Sequence, residues 1–147
     1  MIDSVEDILS TDLTGVDVTR PMLKAANGRL KIARAEIKDT KTGGKKVSFR
    51  LTTEDNQEST RGDSISPGFG LFYDITISSP DAKPGFAGMR DEKLKKFRIA
   101  AVNDSRGSFG DPQQYVGAIV LGTWKVVERQ DGTGEMNEIV KLSAIKP

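Results

Sequence analysis

KVSFRLT, residues 46–52, is the clearest strand in this sequence. Its Val, Phe and Leu residues alternate with polar ones, which predicts a strand with one buried and one exposed face. Two glycines, Gly43 and Gly44, come just before it and predict a hairpin turn. The strand before that turn, residues 30–37, changes its alternation across Ala33 and Arg34, which predicts a β-bulge.

The rest of the chain adds three strands and one helix. Apolar residues alternate over residues 71–79, 115–127 and 138–145, whereas residues 91–102 carry them at helical spacing. The polar segment 54–70 has neither period and is predicted to be a long loop. Three strands, one helix and two strands is the order of the OB-fold, a five-stranded Greek-key barrel. The sequence therefore predicts a mainly β, OB-fold-like barrel with one α-helix between strands 3 and 4, although a jelly roll or a sandwich with an inserted helix has a similar pattern.

Length and composition fit one domain. The 147 residues are enough for one hydrophobic core, with residues 1–28 predicted as an N-terminal arm and residues 29–147 as the barrel domain. There is no Cys and no His, which removes disulfides, the commonest zinc ligands and the usual general base at neutral pH. The carboxylates lack the spacing of a metal site, and the glycines lack that of a phosphate loop. We therefore expect no enzyme activity and no cofactor or metal.

Charge and hydropathy indicate where in the cell the protein is located and whether it contacts nucleic acid or a membrane. Lys and Arg number 22 against 21 Asp and Glu, so any attraction to nucleic acid must come from the distribution of charge over the surface. No apolar run approaches the roughly 18 residues of a membrane span, and the opening MIDSVEDIL lacks the features of a secretory signal. We expect an intracellular protein without membrane contact.

Two hairpin regions carry a family resemblance. The segments concerned are residues 29–32, 41–44, 47–51, 115–117, 124–128 and 136–140. They resemble the opening and closing hairpins of bacteriophage single-stranded DNA-binding proteins with an OB-fold. The resemblance implies a non-catalytic protein that coats single-stranded DNA with little sequence preference in phage replication or recombination, in the cytoplasm of the infected host cell. It leaves open a homo-oligomer and contacts with replication or recombination proteins.

Binding of a single strand needs cations for the phosphates and flat rings for the bases. The first hairpin carries cations on its predicted outer face, and the other candidates are aromatic or lie in the long loop. The predicted binding residues are Lys31, Arg34, Lys45, Lys46, Arg50, Arg61, Phe69, Phe72 and Trp124. Each surface cation is also explained by simple solvation, and Phe72 by packing under the loop or the arm. A lone Trp is more often a core residue than a stacking platform.

A second hypothesis is a virion structural or assembly protein, such as a capsid-decorating or tail-adaptor β-domain. The near-zero net charge, the long loops and the N-terminal arm would then serve contacts between subunits. Binding to oligonucleotides, as against assembly into rings or attachment to particles, discriminates the two hypotheses.

Overall fold

The computed structural model describes residues 4–12, 14, 22–129, 132 and 134–145. Helix α1 spans Val5–Leu9, helix α2 spans Phe86–Val102, and a 3₁₀ turn spans Pro112–Tyr115. The strands are β1 (Ala26–Asp39), β2 (Lys45–Thr53), β3 (Gln57–Glu58), β4 (Ser64–Ile65), β5 (Gly70–Ser78), β6 (Ile119–Glu128) and β7 (Glu135–Ser143). No helix in the described part of the chain is long and apolar enough to cross a membrane.

Five of these strands form one antiparallel sheet, in the order β5-β2-β1-β6-β7. The long β1 lies at its centre and pairs with β2 on one side and with β6 on the other. The two edge strands, β5 and β7, approach each other to within 8 Å between Cα atoms, but their described residues form no ladder. The protein is therefore mainly β, as predicted, but the prediction of a closed barrel is wrong.

The predicted long loop contains a small hairpin of its own, β3 and β4, which pair through two residues each. Its turn is held by the buried hydroxyl of Ser59, which accepts hydrogen bonds from the backbone N–H groups of Arg61 and Asp63, each at 3.1 Å. Because β3 and β4 precede it, α2 follows the fifth strand of the chain and not the third. Among the strands of the main sheet alone, α2 comes after the third and before the fourth. It also begins at Phe86, five residues earlier than predicted, and α1 is an additional helix.

The predicted β-bulge in the first strand is confirmed. Ile32 pairs with Leu51 and Arg34 pairs with Arg50, so Ala33 is the extra residue between the two pairs. The extra residue reverses the alternation of β1, because side chains on a strand point to opposite faces with a period of two. Beyond the bulge, the cations of β1 therefore lie on the same face of the sheet as the β2 cations paired with them, and the apolar residues of both strands lie on the opposite face.

The core lies between the sheet and α2. Phe97 of α2 is 1% exposed and stacks on Phe49 of β2 with 4.1 Å between the ring centroids. Tyr115 meets the Phe97 ring edge-on, and Phe109 lies against both of these rings. This aromatic cluster fixes the helix on the side of the sheet that faces the core, so the opposite side of β1, β2 and β5 is left uncovered by α2.

Candidate nucleic-acid interface

The uncovered side of β1, β2 and β5, here called the outer face, carries its side chains in rows across the three strands. Residues directly opposite each other on paired strands project from the same face of a sheet. The register gives three rows: Arg34, Arg50 and Phe72; then Glu36, Ser48 and Asp74; then Lys38, Lys46 and Thr76. Two of the three rows thus contain a pair of cations side by side.

The first row combines positive charge with an aromatic ring. Phe72 is 61% exposed, as its strand parity predicted, and lies directly opposite Arg50. Arg34, on the other side of Arg50, contacts Glu36 with 3.4 Å between the guanidinium and carboxylate atoms. Among the described residues Arg50 forms no salt bridge, and its guanidinium lies against Gly70, where a Cβ atom would come to 2.9 Å from Arg50 Nε. Within the described part of the chain, Arg50 is therefore a cation without a counter-charge, and it lies beside an exposed ring.

A groove of about 870 Å³ runs along this row. One wall is the outer face, and the other includes Arg129, Met136 and Asn137 of the hairpin between β6 and β7. Among the described residues that line it, the cations are Arg34, Lys38, Arg50 and Arg129, and the only carboxylate is that of Glu36. Glu36 forms salt bridges with Arg34 and with Lys38, so it balances part of this positive charge. Four cations against one carboxylate still leave the described lining with an excess of positive charge, which favours an anionic ligand.

Four of the predicted binding residues lie in this groove: Arg34, Arg50, Phe69 and Phe72. Phe69 is partly buried against the core, and its N–H donates to the hydroxyl of Thr53 at 3.1 Å. The Phe69 ring is therefore a fixed part of the groove wall, whereas the Phe72 ring is largely open to solvent.

Four other predicted residues lie outside the groove lining. Lys46 Nζ is 2.9 Å from Asp74 Oδ2, and Lys45 forms a salt bridge with Asp39. Lys31 is exposed on the outer face, between Thr52 and Ile119, but does not line the groove itself. Arg61 is an exposed residue of the turn between β3 and β4. For Lys45 and Lys46 the predicted positive charge is balanced by an adjacent carboxylate.

Trp124, the remaining predicted binding residue, lies in the core, where a lone Trp is more often found. It is 1% exposed, and its indole N–H donates to the backbone oxygen of Lys24 at 3.0 Å. The ring also packs over Gly28, where a Cβ atom would come to 3.1 Å from it. A base cannot reach either face of this ring while the sheet is intact.

The groove residues that were not predicted include two cations, Lys38 and Arg129, and an exposed apolar side chain, Met136. Lys38 could have been found, because past the bulge it has the same strand parity as Arg34. Arg129 and Met136 had no such signal. Their place in the groove depends on the course of the β6–β7 hairpin relative to β1 and β2, which alternation within one strand does not record.

Asp74, in the second row of the outer face, carries a carboxylate that pairs with Lys46. Burial disfavours its charged form, but the nearby Ser48 hydroxyl and the Lys46 ammonium, helped by the charge of Lys38, outweigh burial and hold the pKa of Asp74 below its ordinary value. Its other oxygen, Oδ1, is buried and has no hydrogen-bond partner among the described residues. The carboxylate therefore stays charged at neutral pH and neutralises Lys46.

The basic residues of α2 do not extend the groove. Lys93 Nζ lies 4.8 Å from the centre of the Tyr73 ring and donates to the backbone oxygen of Asp74 at 2.7 Å. Lys96 pairs with Glu92 one helical turn away. Lys95 is exposed on the same helix. These cations lie on α2, which contributes no residue to the groove lining among the described residues.

Comparisons with known proteins add no assignment. No model of a known protein family matches this chain, and no protein with a curated description matches its sequence. Within the described residues, no group of three or more acidic side chains is placed to hold a metal ion. The groove and its charges are therefore the features of the described chain that indicate a function.

Proposed function

We propose that this protein binds single-stranded DNA in the groove between the outer face and the β6–β7 hairpin, without catalysis and with little sequence preference. The observation that carries the proposal is the row Arg34–Arg50–Phe72, in which an exposed ring lies directly opposite one arginine, Arg50, and a second arginine, Arg34, follows on the next strand. Cations neutralise phosphates, and an aromatic face stacks on any base, because every base has a π-face. The row therefore offers phosphate neutralisation and base stacking on neighbouring strands.

The strand connectivity supports an OB-fold-like arrangement. The five strands of the main sheet, taken in chain order, place the first between the second and the fourth, with the third and the fifth at the edges. In OB-folds the ligand face is flanked by the loops after the first and the fourth strands. The corresponding loops here are residues 40–44 and residues 129–134. The second of these begins with Arg129, a groove residue.

A single strand fits this groove better than a duplex. A base can stack on Phe72 only if its own face is free, which a paired and stacked base in a duplex does not offer. The choice of DNA, the role in phage replication or recombination and the location in the infected cell follow from the resemblance of the two hairpins. Homo-oligomers and replication or recombination partners belong to the same proposal.

The test is fluorescence anisotropy of a labelled oligo-dT of about thirty nucleotides, a length that spans the site sizes of such folds, beside a duplex of equal length. Each is titrated with the protein at two salt concentrations. We expect binding that prefers the single strand and weakens as salt rises, because bound phosphates release counterions. Absence of binding at low salt would overturn the proposal. Rings or particle attachment seen by electron microscopy in that case would favour the virion-assembly hypothesis.

Arg50→Ala and Lys95→Ala form a matched pair for this assay. Each removes one positive charge from an exposed residue, but Arg50 lines the groove and Lys95 lies on α2. If binding occurs in the groove, only Arg50→Ala weakens it. Equal effects of the two substitutions would show that general attraction between the protein and the strand is sufficient, and would remove the groove from the proposal.

A further inference from the structure

The second half of β1 has a free edge. β6 pairs with β1 over Ala26–Lys31, and the backbone of Ile32 bonds to residues 117 and 118. Beyond that point, no described strand pairs with β1 on the side away from β2. Residues 35–39 of β1, whose side away from β2 is unpaired by any described strand, are here called the free edge.

Backbone directions along the free edge follow from two hydrogen bonds. The Ala35 carbonyl accepts from the side-chain amide of Gln113 at 2.6 Å, so it points away from β2. The Thr40 N–H donates to the Gly44 oxygen at 2.9 Å, so it points into the hairpin with β2. Backbone groups alternate in direction along a strand, so those of Ile37 and Asp39 point outward with those of Ala35. Among the described residues the outward groups of Ile37 and Asp39 have no hydrogen-bond partner, whereas the Ala35 carbonyl is already bonded to Gln113.

An apolar side chain is exposed at the middle of the free edge. Ile37 is 64% exposed, although its partner Val47 on β2 is 3% exposed and belongs to the core. A strand edge with open backbone groups and an uncovered Ile is a template for pairing with another strand. No described strand extends the sheet there, and the 3₁₀ turn Pro112–Tyr115 contacts β1 through the bond of Gln113 to Ala35, so the open part of the edge is around Ile37 and Asp39.

We propose that the partner at this edge is a second copy of the chain, paired antiparallel about a two-fold axis with Ile37 opposite Ile37. In this register Glu36 of each copy lies opposite Lys38 of the other, and Asp39 lies opposite Ala35. A two-fold axis makes each contact occur twice. The Ala35 carbonyl can accept from Asp39 of the second copy while it keeps Gln113, because a carbonyl oxygen has two lone pairs.

Charge selects this register over its neighbours. In any such pair the outward backbone groups of residues 35, 37 and 39 must face those of the second copy. The neighbouring registers that satisfy this condition have the two-fold axis at residue 36 or at residue 38. Centring the pair on residue 36 places Glu36 against Glu36 and Arg34 against Lys38, and centring it on residue 38 places Lys38 against Lys38. Like charges directly opposite each other destabilise a strand pair, whereas opposite charges stabilise it. Only the register centred on Ile37 pairs opposite charges and buries both Ile37 side chains.

The dimer would join two sheets into one, with both outer faces on the same side, because the two-fold axis is perpendicular to the sheet. The free edge is short, so we expect a reversible dimer whose population rises with protein concentration. This dimer is one form of the homo-oligomer that the proposed function includes, but it is tested without DNA, so its failure and the failure of DNA binding are distinguishable.

The measurement is sedimentation velocity of the full chain over a wide range of concentrations. We expect the mass to rise from the 16.0 kDa of one chain towards twice that value, about 32 kDa. Glu36→Lys and Lys38→Glu should each weaken the dimer by about tenfold to a hundredfold, because each creates two like-charged pairs. The double variant should restore dimerisation, since it exchanges the two charges and re-forms both pairs.

Ile37→Lys and Val140→Lys provide a matched comparison, because both replace exposed aliphatic residues on strands, 64% and 50% exposed. Only Ile37→Lys should weaken the dimer, and thermal melting by circular dichroism checks that both variants remain folded. A monomer at every concentration would overturn the inference. A dimer that ignores Ile37→Lys, or a double charge variant that stays monomeric, would overturn it as well.

Discussion

Replacement of Phe72 by Ala tests the stacking half of the proposed interface. The side chain is 61% exposed and lies opposite Arg50, so its loss removes a ring from the groove without opening the core. Stacking of one base on an aromatic ring contributes about 1–3 kcal/mol, which corresponds to roughly fivefold to 150-fold weaker binding. Complete burial of a Phe side chain contributes about 1.5–3 kcal/mol to folding stability. Because most of the Phe72 side chain is exposed, its buried fraction contributes about 1 kcal/mol or less.

The assay for this variant is anisotropy of labelled oligo-dT at several salt concentrations. Phe72→Ala should weaken binding by a similar factor at every salt concentration, because stacking releases no counterions. Phe72→Tyr keeps the ring and should bind like the wild type. Val140→Ala truncates an exposed apolar residue outside the groove lining and should also bind like the wild type. An unchanged affinity for Phe72→Ala, or an equal loss in Phe72→Tyr, would refute the stacking argument.

Three further predictions concern charge, core and pH. Arg50→Ala should reduce the slope of log affinity against log salt by about 0.7, the value for one phosphate contact on a single strand, and a slope equal to that of the wild type would exclude this contact. Phe97→Ala should lower the free energy of unfolding in urea by about 3–5 kcal/mol, since the ring is buried and stacked on Phe49. Since the pKa of Asp74 in the folded protein lies below its ordinary value, its charged form adds stability that is complete above that value and is lost as pH falls through the folded pKa. Asp74→Asn should therefore lose less stability than the wild type between neutral and acidic pH in urea titrations, and equal losses would contradict this role.

Local alternation predicted the parts of the fold in which one strand face is buried. The pattern of residues 46–52 gave β2 and its buried face, and the change of parity at Ala33 gave the bulge. The hairpin of β3 and β4 was missed, because strands of two residues are too short for a period. The start of α2 was placed too late, since its first turn contains Gly88 and no apolar stripe marks it. Closure of the sheet was predicted wrongly, because it depends on how β5 and β7 meet and no local pattern records that.

The positions of side chains could likewise be predicted where local alternation determines them, but not where they depend on distant strands. Phe72 could be placed on the exposed face, because its strand has one clearly apolar face. Trp124 could not be placed with the same certainty, because β6 has apolar residues on both faces, and only the sheet register put its ring against Gly28 in the core. The pairing of Lys46 with Asp74 depends on the neighbouring strand β5, which is far along the chain. Charge balance across strands therefore needed the structure.

The bulge at Ala33 connects the local sequence to the proposed function. Without the extra residue, the alternation that buries Leu30 and Ile32 would turn Arg34 towards the core, and a guanidinium without a partner there is costly. With it, Ala35 packs in the core and Arg34 joins Arg50 and Phe72 on the outer face. The same parity change directs the backbone groups of Ile37 to the free edge. One inserted residue thus determines both the composition of the groove and the register available to a second copy.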